Sequence, residues 1–164
     1  MITQSELKER FHYNPDTGIF ARKKTDRRTI KIGSIVSTKN TGGYIIANIK
    51  GKIYSAHRLA WLYIYGVMPD GDIDHINGFR DDNRIKNLRC VTRLENCKNS
   101  AKQKNNTSGV SGVCFNKRNG LWYASVYKNG KGVHIASSRD FFEAVCARKS
   151  AERRYNYHPN HGRK

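Results

Sequence analysis

The sequence lacks the features that would place the protein in a membrane, outside the cell or around a zinc ion. It has no run of about 18 apolar residues, so no transmembrane helix is expected. No charged segment followed by an apolar stretch marks it for secretion. Its four cysteines form no CxxC pair, which argues against a zinc site and favours reduced thiols. We therefore expect a cytoplasmic protein with no membrane partner.

Acidic residues are scarce as well. The chain has 13 Asp and Glu against 31 Lys and Arg, which gives a formal net charge of +18. The excess is spread along the sequence, with 18 basic against 10 acidic residues in positions 1–100 and 13 against 3 in positions 101–164. Because Lys and Arg release condensed counterions when they neutralise phosphates, a polyanion is the expected partner. Nucleic acid is favoured over a membrane surface, since no basic amphipathic helix has an aromatic apolar face.

The first 55 residues are predicted to form a β-rich segment. The stretch NPDTG at positions 14–18 is typical of a turn, and GGYIIANIKGKIYSA at positions 42–56 predicts a hairpin around Lys50-Gly51. The next stretch, HRLAWLYIYG, has apolar residues at helical spacing and ends at glycine. It predicts a short buried helix.

The central part, residues 56–105, has a strand, loop, strand, helix order. The first strand is IDHI, followed by the turn pair Asn77-Gly78 and the polar loop DDNRIKN. The second strand is LRCVT, and the predicted helix is RLENCKNSAKQK. The small and polar stretch SAKQKNNTSG predicts a linker, with a boundary near residue 105.

The last part, residues 106–164, is predicted to be a small sheet packed on one helix. Its three strands are VSGVCFN, LWYASVYK and KGVHIA, separated by the turns KRNG and NGK. The helix is FFEAVCARKSAERRYN, which is amphipathic. The whole chain is therefore assigned to the α+β class.

The central part also raises a question of charge, because five of the 13 acidic residues lie between Asp70 and Asp82. Asp74 and His75 end the first predicted strand, Asn87 precedes the second, and Asn96 lies on the helix. Oxygen ligands suit Mg²⁺ or Mn²⁺, and Asp74 and Asn96 can supply two of them. His75, largely neutral at cellular pH, can take a proton from an attacking water, and Asn87 can fix its tautomer. This set is suited to phosphodiester hydrolysis.

Simpler interpretations exist for several of these residues. The other acids of the cluster fit a solvated loop with turn and capping roles. Asn83 and Asn87 are both residues that turns favour. His57 begins an apolar helix, which favours a structural role over a catalytic one.

The stretch from about Ala56 to Asn99 resembles the HNH endonuclease family, in its phage and intron-encoded homing branch. The resemblance lies in AHRLAW, IDHINGFRDDNRIKNLR and VTRLENCKN. It implies a ββα-metal fold that uses a divalent ion, Mg²⁺ or Mn²⁺. In this fold His75 is the general base, oriented by Asn87, and Asp74 and Asn96 are the metal ligands. Asparagine at position 96 implies the HNN variant, with Asn99 as the alternative ligand.

Residues from about Ser108 to Tyr155 resemble a phage-type AP2 DNA-binding domain, through SGVSGV, LWYASV, GKGVHIA and FFEAVCARKSAE. In that family the three-stranded sheet lies in the major groove of DNA. Alternation along the strands turns one set of side chains toward the helix: Val113, Phe115, Trp122, Ala124 and Val126. The set expected to contact DNA is Asn116, Arg118, Tyr123, Ser125, Tyr127 and His134.

The expected function is that of a metal-dependent HNH DNA endonuclease of homing type, positioned on double-stranded DNA by the AP2-like domain. Nicking and double-strand cleavage both fit one catalytic core per chain, and the protein can act as a monomer or a dimer. The main alternative is a non-catalytic DNA-binding protein on the same scaffold. A ribonuclease is a further alternative, which the AP2-like sheet disfavours.

Overall fold

The computed structural model describes residues 2–25, 29–128 and 130–163. The chain divides into two compact units, Met1–Thr92 and Arg93–Lys164. Both combine helices with small antiparallel sheets, which confirms the predicted mixture of helix and strand. Asn129, in the predicted NGK turn, lies outside the described residues. No helix in the described ranges is long and apolar enough to cross a membrane.

The first unit contains three two-stranded sheets. Its elements are α1 (Gln4–Arg10), β1 (Phe11–Asn14), β2 (Ile19–Arg22), β3 (Ile46–Ile49), β4 (Lys52–Ser55), α2 (Ala56–Tyr65), β5 (Asp72–His75), a 3-10 helix (Ile85–Asn87) and β6 (Leu88–Val91). The strands pair in sequence order, β1 with β2, β3 with β4 and β5 with β6. The predicted strand, loop, strand order of the central part is therefore present.

Helix α1 was not part of the predicted β-rich segment. Thr3 caps it, since its side chain accepts a hydrogen bond from the backbone N–H of Glu6 at 3.2 Å. The helix buries Leu7, which is fully shielded from solvent, in the core of the first unit. The helix has a local signal, since the pattern Thr3-x-x-Glu6 is a capping signature.

The β1–β2 hairpin packs against the loop between β5 and β6. Tyr13 stacks on Phe20 at 4.5 Å between ring centroids, and its hydroxyl donates to the carbonyl of Asn83 at 2.7 Å. The backbone N–H of Ile85 donates to the carbonyl of Pro15 at 3.1 Å. The N-terminal hairpin therefore belongs to the same compact unit as the predicted catalytic residues and supports their loop.

Gly18 makes this close approach possible. Its φ is +73°, in the left-handed region that favours glycine. A Cβ at this position would lie 2.5 Å from the backbone nitrogen of Arg84 and 2.5 Å from the carbonyl carbon of Asn83. Both the conformation and the space therefore require glycine.

The second unit begins with helix α3 (Arg93–Lys98), which is shorter than predicted. Residues that follow it bond to the C-terminal tail: Lys102 N–H donates to Arg163 at 2.9 Å, and Gly162 N–H donates to Ser100 at 2.9 Å. Part of the stretch interpreted as a linker is thus held within this unit. The boundary near residue 105 stays a prediction.

The rest of the second unit is a three-stranded sheet against one helix. Its elements are β7 (Val113–Asn116), β8 (Leu121–Lys128), β9 (Lys131–Ser138) and α4 (Phe141–Arg154). The sheet order is β7-β8-β9, and Val113, Ala124 and Ala144 form the buried centre of the contact with α4. Phe115 departs from the predicted inward set. It is 46% exposed, because it lies on an edge strand and packs sideways on Trp122.

Replacing Gly18 with alanine is expected to destabilise the first unit strongly. The matched control is Gly51→Ala, since Gly51 has a φ of +80° but no atom within 4 Å of the added Cβ. The control carries the conformational cost alone, about 1–2 kcal/mol. Gly18→Ala should cost at least about 2 kcal/mol more because of the backbone contacts. Urea unfolding measures the free energy of unfolding of both variants. Equal decreases would show that the loop at Asn83 and Arg84 moves aside without an energetic cost.

Candidate active site

Asp74 and His75 end strand β5, and both are buried, at 6% and 5% exposure. Arg89 lies opposite Asp74 on β6, and its Nε and Nη2 donate to Oδ2 of Asp74 at 2.9 and 2.8 Å. A buried carboxylate is costly unless it is paired and hydrogen-bonded. The strand pairing therefore supplies the cation that stabilises Asp74 in this position.

His75 lies beside Asn83. The imidazole Nε2 is 3.3 Å from Oδ1 of Asn83, a side chain that is 1% exposed. The amide is oriented by the bond from its Nδ2 to the carbonyl of Asp81. Because Oδ1 can only accept, this geometry assigns the proton of the neutral ring to Nε2 and makes Nδ1 the basic nitrogen. Burial lowers the pKa of His75, which favours this neutral form.

Asn83 is a functional candidate that the sequence analysis placed among turn residues. No local signal distinguishes it from Asn87, since both are asparagines of the same polar loop. The tertiary fold brings Asn83 to the imidazole. Asn83 is also the residue that Tyr13 holds through its backbone carbonyl.

Asn87 is buried and spans the loop between β5 and β6. Its Oδ1 accepts from the backbone N–H of Asn77 at 3.0 Å, and its Nδ2 donates to the carbonyl of Asp82 at 2.8 Å. These bonds shape the loop that carries Asn83. The direct contact of Asn87 with the imidazole stays a prediction.

Two acids of the cluster have ion-pair partners in the loop and nearby. Asp81 pairs with Lys39 at 2.7 Å, and this bond lowers the pKa of Asp81. Asp82 accepts from Nε of Arg84 at 2.7 Å and from Nδ2 of Asn77 at 2.7 Å. The bond from Arg84 lowers the pKa of Asp82 to about 2. These carboxylates fit the predicted turn and capping roles.

His57, at the start of α2, packs against His75. The ring centroids are 5.2 Å apart and the planes nearly perpendicular, and the ring of Tyr44 lies 5.2 Å from His57 on another side. Burial lowers the pKa of His57 to about 3, and the neighbouring His75 and Arg58 add to the effect. The sequence did not indicate this contact between two histidines.

Asn96 lies on α3, in the second unit, and is half-buried. Asn99, the alternative ligand, is 1% exposed, and its Oδ1 accepts from Nη1 of Arg163 at 3.1 Å. The amide oxygen of Asn99 therefore has a structural partner within its own unit. The choice between Asn96 and Asn99 as a ligand stays a prediction.

A divalent ion fits the predicted ligands chemically. A carboxylate and an amide oxygen are both hard donors, the type that Mg²⁺ and Mn²⁺ prefer. Within the part of the chain that the structure describes, no group of three or more His, Cys, Asp or Glu side chains could hold a metal. Asp74 lies in the first unit and Asn96 in the second, and binding of one ion by both residues stays a prediction.

The residues predicted to contact DNA lie on the second unit's sheet or its turns. Tyr123, Ser125 and Tyr127 alternate along β8 with the buried Ala124 and Val126. His134 on β9 is paired with Ser125, and its ring contacts Tyr123 at 5.5 Å. Asn116 ends β7, where its Oδ1 accepts from the backbone N–H of Arg118. Contact of these side chains with DNA stays a prediction.

Comparison with known proteins identifies a domain in this part of the chain. The HNH endonuclease model matches residues 54–98, from the end of β4 through α3. An HNH domain indicates nuclease activity with DNA as the partner, and nucleases of this class generally use a divalent metal.

A phage protein extends the match beyond this domain. Protein 3.8 of Escherichia phage T7 is 37% identical over 91 residues, which cover 55% of this chain and 74% of that protein. The chain therefore belongs to the phage protein family that includes Protein 3.8, and it carries an HNH endonuclease domain. No solved structure matches the chain.

Acid is expected to destabilise the first unit through His57. Its folded pKa of about 3 lies below the unfolded value of 6.5, so the unfolded chain binds more protons between these limits. The contribution of His57 to the free energy of unfolding is fully present above pH 6.5. It decreases as the pH falls toward 3, by at most about 1.4 kcal/mol per pH unit. The groups that face His57 are Tyr44, Arg58 and His75. The pKa of His75 is also lowered, so this histidine adds to the loss of stability in acid.

The free energy of unfolding, measured in urea between pH 7 and pH 5, tests this expectation. His57→Gln should make the decline shallower. His12→Gln, at an exposed position on β1, is the control and should leave the slope unchanged. Identical slopes for wild type and His57→Gln would contradict the prediction.

Proposed function

We propose that the protein is a metal-dependent DNA endonuclease of homing type that hydrolyses phosphodiester bonds in duplex DNA. One observation supports this most directly: His75, buried beside Asp74 at the end of β5, has its Nε2 held by Asn83. That arrangement gives a neutral imidazole with a defined basic nitrogen on the residue that follows a buried carboxylate in sequence. These are the groups required for general-base hydrolysis beside a cation.

In the proposed reaction, Nδ1 of His75 takes the proton from the water that attacks phosphorus. Asn83 accepts the hydrogen bond from Nε2–H throughout and so stabilises the imidazolium that forms. Asp74 and Asn96 would hold the divalent ion, which supplies charge stabilisation for the phosphorane and the leaving oxygen. Arg89 fixes the orientation of Asp74 through Oδ2.

The second unit is proposed to position the nuclease on DNA in the manner of an AP2 domain. Arg118 is exposed at the turn between β7 and β8, the strand that carries Tyr123, Ser125 and Tyr127. The surplus of basic residues in positions 101–164, 13 against 3 acidic, favours phosphate contact. The enzyme nicks one strand or cuts both, as a monomer or a dimer.

A non-catalytic DNA-binding protein is the second candidate, and one observation favours it. Oδ2 of Asp74 is already paired with Arg89, so an ion bound there would share the carboxylate with a guanidinium. The Asp74–Arg89 pair also fits the catalytic candidate, because the guanidinium can hold the carboxylate in place as a metal ligand. Cleavage itself distinguishes the two candidates.

Supercoiled plasmid, incubated with Mg²⁺, Mn²⁺ or EDTA, tests the proposed function. Conversion to open-circle or linear DNA should require the metal. His75→Ala should slow cleavage by about 100-fold or more while DNA binding persists. His12→Ala removes an exposed histidine and should cleave as the wild type does. Retained binding without cleavage, on DNA that includes phage genome fragments, would support the non-catalytic candidate.

Arg118→Ala tests the proposed DNA surface. Loss of one phosphate contact should weaken binding and reduce the slope of log K against log salt by about 1. Arg154→Ala is matched in charge and exposure but lies on α4, which packs on the opposite face of the sheet from Tyr123. Fluorescence anisotropy at several salt concentrations measures both variants. Equal slopes for the two would exclude the turn from the interface.

A further inference from the structure

His57 contacts the proposed general base, yet no step of the proposed reaction uses it. Its ring is edge-on to His75, with an interplanar angle of 85° and 5.2 Å between centroids. Tyr44 contacts both imidazoles, at 5.2 Å from His57 and 5.8 Å from His75. The ring of His75 therefore lies against two other flat side chains.

Stability alone does not explain a histidine at this position. The residue is 9% exposed, and its Nδ1 is buried without a hydrogen-bond partner among the residues that the structure describes. A buried polar atom left unpaired costs free energy, and an apolar side chain of similar size would avoid that cost.

The contacts of His75 show what the neighbouring ring can do. The bond from Nε2 to Asn83, at 3.3 Å, is long for a hydrogen bond and acts at one atom of the ring. Packing of flat side chains adds a constraint on the plane of the imidazole and so on the direction of Nδ1. Helix α2 supplies it, since Leu59, Ala60 and Leu62 anchor that helix in the core.

We propose that His57 is a positioning residue for His75, whose flat ring, together with Tyr44, holds the imidazole in the orientation where Nε2 reaches Asn83 and Nδ1 acts as the base. The five-membered ring is small enough to lie edge-on to His75 while it contacts Tyr44. The inference rests on the proposed function, because it assigns His57 a role toward the proposed general base.

His57→Leu in the full-length protein is the direct test, because it removes the ring and the unpaired nitrogen but keeps an apolar side chain of similar size. Plasmid cleavage should show kcat lowered about tenfold or more, with KM for DNA unchanged. The melting temperature should equal or exceed that of the wild type. His57→Phe restores a flat ring and should recover part of kcat. Wild-type kcat in folded His57→Leu would overturn the inference.

A spectroscopic readout separates positioning from general support of the fold. Long-range ¹H–¹⁵N spectra of the imidazoles should show one tautomer of His75, protonated at Nε2, in the wild type. His57→Leu should give a mixture of tautomers. Tyr65→Leu removes a ring from the same helix that contacts Trp61, and it should leave the His75 signals unchanged. Unchanged His75 signals in His57→Leu would also overturn the inference.

Two further outcomes are distinguishable. If His57→Leu does not fold, His57→Phe and His57→Gln carry the test, and equal kcat values for this pair would overturn the inference, since only phenylalanine keeps the ring. If the wild type does not cleave while its His75 shows the single tautomer, the proposed function fails and the positioning contact stands.

Discussion

Burial of two ionisable side chains at the end of one short strand is the constraint on which the rest of the first unit depends. Asp74 and His75 lose their hydration there, and each needs partners from elsewhere in the chain. Arg89 comes from the facing strand, Asn83 from the following loop, and His57 from the preceding helix. The site is therefore a product of the whole unit, although its two central residues are adjacent in sequence.

The loop that carries Asn83 is itself held from two directions. Asn87 bonds to the loop backbone on both sides of its turn, and Tyr13 of the N-terminal hairpin binds the carbonyl of Asn83. The glycine at position 18 lets that hairpin approach to backbone contact. The N-terminal residues thus support the position of the proposed base, and their distance in sequence gives no indication of this role.

The parts of the protein that were predictable are those with a local signal. The strand pair around Asn77-Gly78, helix α2 and the strands of the second sheet follow from periodicity and turn residues, and the grouping of Asp74 with His75 follows from the motif. Helix α1 also has a local signal, the Thr3-x-x-Glu6 pattern, although it lies in the segment predicted to be β-rich. Asn83 and His57 had none, because their contacts with His75 join residues that only tertiary packing brings together. These residues lie 8 and 18 positions from His75, and no sequence periodicity indicates contacts at those separations.

The charge pattern that first set the central segment apart has a physical explanation in these contacts. Asp74, Asp81 and Asp82 each accept from a basic side chain, so the loop presents little net negative charge. An unpaired group of carboxylates would repel the phosphates of a DNA strand, whereas paired ones leave the basic excess of the chain effective. Asp74 differs from the other two in being buried beside an imidazole. Its pairing with Arg89 offsets the charge of this carboxylate, which in the proposed reaction would lie near a phosphate.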